Sequence, residues 1–329
     1  MPHIVAISIG DINGIGPEVV IKSLSNLDLS RTTPVIVSPP EVIDFYCKAI
    51  GLELDFVKIS DPSEIIANQI NVLSFDDSEV EITPGVQSVS GGKIAMQSIE
   101  RCIDLCMKGV AQAMVTAPIS KEAVNLAGYD IPGHTEFLAE ECGVDEVLMM
   151  LVSDNLRVAL VTAHISVKDI SAAITEELIL RKSQLLYHSL KYDFGLSFPK
   201  IAVLGLNPHA GDGGVIGREE IEVIEPAIRH AEQSMLPLTG PFPADGFFGQ
   251  QLHSQFDAIL AMYHDQGLAP FKLLSFGHGV NFTAGLPIIR TSPDHGTAFN
   301  IAGKGVANPT SFTQAYSLAV QMAERKYGA

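Results

Sequence analysis

Short apolar runs recur along the chain, each closed by glycine, proline or a polar cluster, and they alternate with stretches of helical spacing. Ile4–Ile9, Val35–Ser38, Ala113–Ala117, Ile201–Leu206 and Ala258–Met262 are runs of strand length rich in β-branched residues, and read as buried strands. Val147–Val152 and Arg157–Thr162 flank Ser153-Asp154-Asn155 and read as two strands around a turn. Between the runs, apolar residues fall at helical spacing. Ile94, Ile99, Cys102, Ile103, Cys106 and Val110 share one face of a helix led by Gly91-Gly92. Helices are also expected after Pro17, over 41–50, 137–142, 167–192, 219–231, 248–256 and 310–326. The stretch 52–89 is polar and irregular, with strand-like pieces such as Val72-Leu73, and 241–246 reads as a turn-rich loop. Alternating strands and helices predict the α/β class with mostly parallel sheets.

Composition narrows the class. The 329 residues suffice for one large or two ordinary domains, and 47% hydrophobic residues supply a substantial core. A net charge of −17 makes the chain as a whole a poor partner for nucleic acid or an anionic membrane. The N-terminus lacks the basic start and apolar core of a signal peptide, and no run reaches membrane-spanning length. Cys47, Cys102, Cys106 and Cys142 form no CxxC pair and read as reduced core residues. The expectation is a cytoplasmic protein.

Candidate chemistry gathers at strand ends, where ligands sit in open α/β sheets. His164, His209 and His264 each follow an apolar strand, spaced by roughly one βα unit. Three imidazoles can converge on a divalent ion and leave a position open for chemistry. Each alone reads more readily as an ordinary strand-end residue, and only the three in one context bring the metal reading level with it. Asp245 and Asp265 are candidates to orient those ligands or to act as a base. Lys272, Asn281 and Arg290 lie in a segment with little helical periodicity, read as loop-rich turning strand, and have the right inventory to grip an anion. Gly133-His134-Thr135-Glu136 opens a helix, either as a cap or as an anion cradle. Gly10–Glu18 is a strand–glycine turn–helix junction. Its glycines permit phosphate approach, but the pattern is neither GxGxxG nor a P-loop, and a tight βα turn is the simpler reading.

Taken together, Gly10-Asp11, Gly14-Ile15-Gly16-Pro17-Glu18, Gly133-His134-Thr135-Glu136, Asn207-Pro208-His209-Ala210-Gly211, Pro243-Ala244-Asp245 and Tyr263-His264-Asp265-Gln266-Gly267 closely resemble the 4-hydroxythreonine-4-phosphate dehydrogenase family, over nearly the whole chain and in the family's order. The tail His295–Pro309 is similar to the cofactor loop of isopropylmalate and isocitrate dehydrogenases. The resemblance implies two α/β/α domains with mostly parallel sheets, isocitrate/isopropylmalate dehydrogenase-like. One would be 1–130 plus 275–329 and the other 131–274, with the active cleft between them.

It also implies a divalent metal (Zn, Mg, Co or Mn) on His164, His209 and His264. Substrate would fall to His134, Thr135, Lys272, Asn281 and Arg290, and the adenine end of NAD or NADP to His295, Gly296, Thr297, Ala298 and Asn308. The implied protein is a homodimer with the active site at the subunit interface. It oxidises 4-phosphohydroxy-L-threonine in pyridoxal phosphate (vitamin B6) synthesis, and the product then decarboxylates. Ile12-Asn13, Asp212 and Gly246 replace commoner family residues and leave room for a paralogue acting on threonate or erythronate 4-phosphate. A zinc hydrolase built on the same histidines is the rival, and the dinucleotide-loop tail counts against it.

Overall fold

The computed structural model describes residues 2–75, 80–131, 133–154 and 156–328. Asn155 of the expected turn and Pro132, beside the Gly133 cradle, lie outside the described residues. The chain divides into two compact units, Met1–Asp145 with Leu286–Ala329, and Glu146–Gly285.

The first unit carries strands β1 (His3–Ser8), β2 (Thr32–Val37), β3 (Val57–Ile59), β4 (Asn71–Leu73), β5 (Ala113–Thr116) and β12 (Ile289–Pro293). Their order is β3-β4-β2-β1-β5-β12, and every pairing is parallel. The central strands are buried along their length, which is why they read as unbroken apolar runs rather than alternating ones. Helices α1 (Gly16–Leu24), α2 (Pro40–Ile50), α3 (Val89–Met107), α4 (Lys121–Leu126), α5 (His134–Glu141) and α11 (Thr310–Tyr327) belong to the same unit. Helix α3 starts earlier than its glycine pair suggests. Ser88 caps it by accepting the Gly91 N–H at 3.0 Å, and Gly92 lies inside because a Cβ there would strike the Ala123 carbonyl. The irregular region 52–89 holds β3, which was too short and polar to show a pattern.

The second unit carries β6 (Leu148–Ser153), β7 (Leu156–Leu160), β8 (Ile201–Leu204), β9 (Leu238–Phe242), β10 (Ala258–Ala261) and β11 (Val280–Ala284), in the order β11-β6-β7-β10-β8-β9. Strands β11, β6 and β7 pair antiparallel, whereas β7, β10, β8 and β9 run parallel. Its helices are α6 (Ile170–Ala173), α7 (Glu176–Tyr192), α8 (Glu225–Gln233), α9 (Ala244–Gly249) and α10 (His264–Ser275).

Three expectations are corrected here. The helical tract 167–192 is broken: Thr175 accepts the Leu178 N–H and starts α7 afresh. The expected helix 248–256 is instead α9 followed by a 3₁₀ turn at Leu252–Gln255, split where Gln251 turns left-handed. Lys272 stands in the last turn of α10, not in turning strand. Gly267 and Pro270 disguise that helix. A Cβ at Gly267 would come within 2.8–3.0 Å of Val158, Leu160 and Ala261, so this glycine marks close packing of α10 on β7 and β10 rather than a break. Among the described residues no helix is long and apolar enough to cross a membrane.

One buried charge in the first unit gives a pH-dependent expectation. Asp11 is fully buried; Oδ1 accepts the Asn13 N–H at 2.9 Å, while Oδ2 is buried without a partner among the described residues. Desolvation pushes its pKa up to about 6, the Asn13 contact opposing this. Since the folded-state value lies above the unfolded one, Asp11 costs nothing below about pH 4. Its cost grows as pH rises to about 6 and persists above that. Asp11→Asn is therefore expected to stabilise the protein at pH 8 by roughly 2–3 kcal/mol relative to its effect at pH 4. Urea denaturation at both pH values checks this, and an equal effect at both would refute it.

Candidate functional site

In the second unit, β7, β10 and β8 lie side by side and parallel, and each exits into one of the three histidines. The exits are stitched together past the strands themselves. Val161 N–H donates to Ala261 O at 2.8 Å, and Thr162 Oγ1 to Met262 O at 2.7 Å. Gln266 accepts the Met262 N–H at 2.7 Å and donates to Gly205 O at 2.6 Å. Gly205 N–H donates to Phe242 O at 2.8 Å, which brings the β9 exit into the same row.

The His164 and His264 rings lie 5.9 Å apart between centroids. Two imidazoles on one tetrahedral ion stand about 5 Å apart, given metal–nitrogen distances near 2.0–2.1 Å. His264 Nδ1 meets Asp265 Oδ1 at 2.7 Å. That contact puts the proton on Nδ1 and leaves Nε2 as the ligating lone pair.

His209 occupies the loop after β8, where six consecutive residues, His209 to Gly214, have positive φ. Such angles cost about 1–2 kcal/mol at each non-glycine residue. As placed, no three His, Cys, Asp or Glu side chains among the described residues stand close enough to hold an ion. The donor set still suits one: three imidazoles on one sheet edge, one already oriented by a carboxylate. Beside them lies a cavity of about 500 Å³, lined by Asn207, Pro208, Asp245, Phe248, Tyr263 and Gln266. Lys272 is exposed, and Asn281, on β11, keeps a buried Oδ1 without a partner.

In the first unit a buried arginine meets a threonine and a histidine. Arg290, from β12, is 2% exposed. Its Nε and Nη2 donate to Thr116 Oγ1, from β5, at 3.1 and 2.8 Å. Its Nη2 also meets His134 Nδ1, in the first turn of α5, at 3.3 Å. Arginine only donates, so His134 Nδ1 accepts and the ring proton sits on Nε2. That Nε2–H is buried with no partner among the described residues. Desolvation, and secondly the Arg290 charge, hold His134 well below the usual histidine range, so the ring is neutral. Burial brings Arg290 down to about 9, still charged at neutral pH. Thr135 follows, half-buried, on the same helix start, where backbone N–H groups lack partners within the helix. Gly133, at the N-cap of α5, makes no side-chain cap bond.

The tail 295–308 is clamped to the Gly10–Glu18 turn. Thr297 O accepts the Ile15 N–H at 2.9 Å and packs on Gly14. Glu18, fully buried, accepts the Ala307 N–H at 2.8 Å, and Lys22 pairs with Glu18 while donating to Gly305 O and Ala307 O, all at 2.8 Å. Gly10 and Gly16 are filled in by this chain's own backbone: a Cβ on either would meet Pro118 O or Ile9 O. The turn is therefore a packing device, as the simpler reading had it. In the tail, His295 Nδ1 contacts Gly296 O at 3.1 Å, its buried Nε2 has no partner, and Ala298 is left-handed. An orphaned donor or acceptor beside an open glycine suits a polar ligand such as a dinucleotide. Asn308 Oδ1 accepts the Thr310 N–H at 2.9 Å and so helps start α11.

Sequence reasoning missed Thr116, Glu18 and Lys22 as parts of these arrangements. Glu18 and Lys22 stood four apart on a helix, which signals only a surface pair.

Comparison with known proteins follows the same lines. The family model described as pyridoxal phosphate biosynthetic protein PdxA matches residues 30–319. A relative from Bacteroides thetaiotaomicron named 4-hydroxythreonine-4-phosphate dehydrogenase is 45% identical over 320 residues, covering 97% of this chain and 88% of its own. One of the same name from Prosthecochloris aestuarii is 44% identical over 325 residues, covering 96% of each. The crystal structure of 4-hydroxythreonine-4-phosphate dehydrogenase from Klebsiella pneumoniae superimposes with a TM-score of 0.88 at 36% identity, over 98% of this chain and 100% of that one.

Proposed function

The chain belongs to the PdxA family of pyridoxal phosphate biosynthetic proteins, and from that premise we propose that it is a metal-dependent 4-hydroxythreonine-4-phosphate dehydrogenase. It oxidises the secondary alcohol of 4-phosphohydroxy-L-threonine with NAD or NADP. The product, 2-amino-3-oxo-4-phosphooxybutanoate, is a β-keto acid and loses carbon dioxide to give 3-amino-2-oxopropyl phosphate. The observation that carries the reading is the row of three histidines leaving three adjacent parallel strands, one ring held by Asp265.

His164, His209 and His264 would hold the divalent ion, which when bound lowers the pKa of the substrate hydroxyl and favours loss of hydride. Arg290 and the His134 Nε2–H bind an anionic group of the substrate, with Thr116 fixing the guanidinium plane. Thr135, Lys272 and Asn281 complete the substrate contacts. Asp245, which faces the cavity, accepts the hydroxyl proton, because Asp265 is engaged in orienting His264. His295 to Ala298 and Asn308 hold the adenine end of the dinucleotide. A cytoplasmic homodimer is part of the reading. Leu273 and Phe276, beside Lys272 at the end of α10, are 74% and 85% exposed, apolar surface that a second copy would cover.

Absorbance at 340 nm with a panel of phosphorylated hydroxy acids tests this. Nucleotide reduction with 4-phosphohydroxy-L-threonine, lost on chelation and restored by metal, is expected. Reduction only with threonate or erythronate 4-phosphate would make the chain a paralogue. Release of inorganic phosphate without reduction would make it a hydrolase.

A further inference from the structure

We propose that Glu220 is a positioning residue for the metal site: its buried carboxylate locks the left-handed turn that presents the His209 imidazole. The inference rests on the reading above that His209 is a metal ligand.

Glu220 is 1% exposed and opens the π-helical turn Glu220–Ile224. A carboxylate is rarely so buried unless every lone pair has work to do. Here Oε1 accepts two backbone N–H groups, from Leu206 and Asn207, each at 2.7 Å. Oε2 accepts Asn207 Nδ2 at 2.9 Å, and that amide also reaches Glu219 Oε2 at 2.8 Å. The grip therefore falls on the β8 exit, immediately before His209.

The loop is shaped around this carboxylate. A Cβ at Gly211 would come within 2.7 Å of Glu220 Oε2, and one at Gly205 within about 3.1 Å of Oε1. Gly217 lies against the Asn207 amide. The turn closes over them through Ala210 N–H to Asn207 O at 3.1 Å and Ile216 N–H to Gly211 O at 3.1 Å.

His209, Ala210 and Asp212 pay a cost for left-handed angles that Gly211, Gly213 and Gly214 do not. Something outside the turn must hold them, and the fixed acceptor at its base is Glu220. If one residue reverts to right-handed angles, every later Cα–Cβ bond in the turn is redirected. Leu206 and Asn207, which Glu220 holds, precede His209, so release at this base redirects the His209 Cα–Cβ bond and with it the imidazole. Glu220 acts through backbone and the Asn207 amide, not by touching an imidazole.

Titration of the purified full-length chain with Co²⁺, followed by the visible absorption of the bound ion, reads the site without turnover. It is run below the melting transition of every variant. Glu220→Ala is expected to weaken Co²⁺ binding about 10–100-fold, the usual loss when a support of a metal ligand is removed. Glu220→Gln keeps an acceptor for both backbone N–H groups and stays near wild type. Leu186→Ala, a cavity in the buried face of α7, lowers thermal stability and leaves Co²⁺ affinity unchanged. If Glu220→Ala does not fold, Glu220→Asp replaces it, since a shorter carboxylate cannot span all three donors, with a loss of the same sign. Wild-type affinity in Glu220→Ala, or an equal loss in Leu186→Ala, would overturn the proposal. A wild-type chain that binds no Co²⁺ would instead bring down the metal reading itself, and this inference with it.

Discussion

Arg290→Met is expected to lower kcat/KM for the phosphorylated substrate by roughly 10²–10⁴-fold while leaving the melting temperature unchanged or higher. Charge-assisted hydrogen bonds contribute about 1.5–3 kcal/mol each, and each 1.4 kcal/mol is about a factor of ten. Two such bonds from one guanidinium give the stated range. The stability half of the expectation follows from desolvation. Burial has already brought the Arg290 pKa down to about 9, so the charge is held at a cost to the fold. Methionine of similar reach fills the space without that cost. Lysine is not expected to rescue, because one ammonium cannot meet Thr116 Oγ1 and a bidentate anion in the same plane. Steady-state kinetics alongside thermal unfolding check both halves. A variant that loses stability and activity in proportion would show that Arg290 is a structural residue.

His264→Ala is expected to lower kcat by about 10³-fold or more and to reduce bound metal to a small fraction of that in the wild-type chain. Lewis-acid assistance is worth several kcal/mol at an alkoxide, and losing one of three ligands forfeits most of it. Asp265→Asn separates orientation from ligation. The amide keeps the shape but not the charge that fixes the His264 tautomer, so metal affinity should fall about tenfold with the three imidazoles intact. Metal analysis after dialysis and Co²⁺ titration measure these directly. Full metal content in His264→Ala would remove this histidine from the site.

Much of this architecture was legible in the chain itself. Val35-Ile36-Val37, Ile201–Leu204 and Ala258–Ala261 are short and apolar throughout because both faces of a parallel strand are covered. Their polar exits, carrying His209 and His264, could be placed for the same reason. The strand β9 was hidden, since its end at Pro241 and Phe242 falls in the stretch read as loop; it is an edge strand, where a missing N–H is tolerated. Helix α10 was hidden by Gly267, whose cause is a neighbouring sheet rather than its own segment.

Local order thus decided the elements: hydrophobic period and the punctuation of glycine and proline act within a few residues, so they can be read without coordinates. Strand order, which places β10 between β7 and β8, came only from the folded chain. So did the neutral tautomer of His134, set by an arginine far along the sequence, the burial of Glu18 against the distant tail, and that of Glu220 against the exit of β8. Those features depend on which desolvated groups meet. In a low-dielectric interior a charge or donor takes its properties from the partners within hydrogen-bonding reach, and only packing determines who they are.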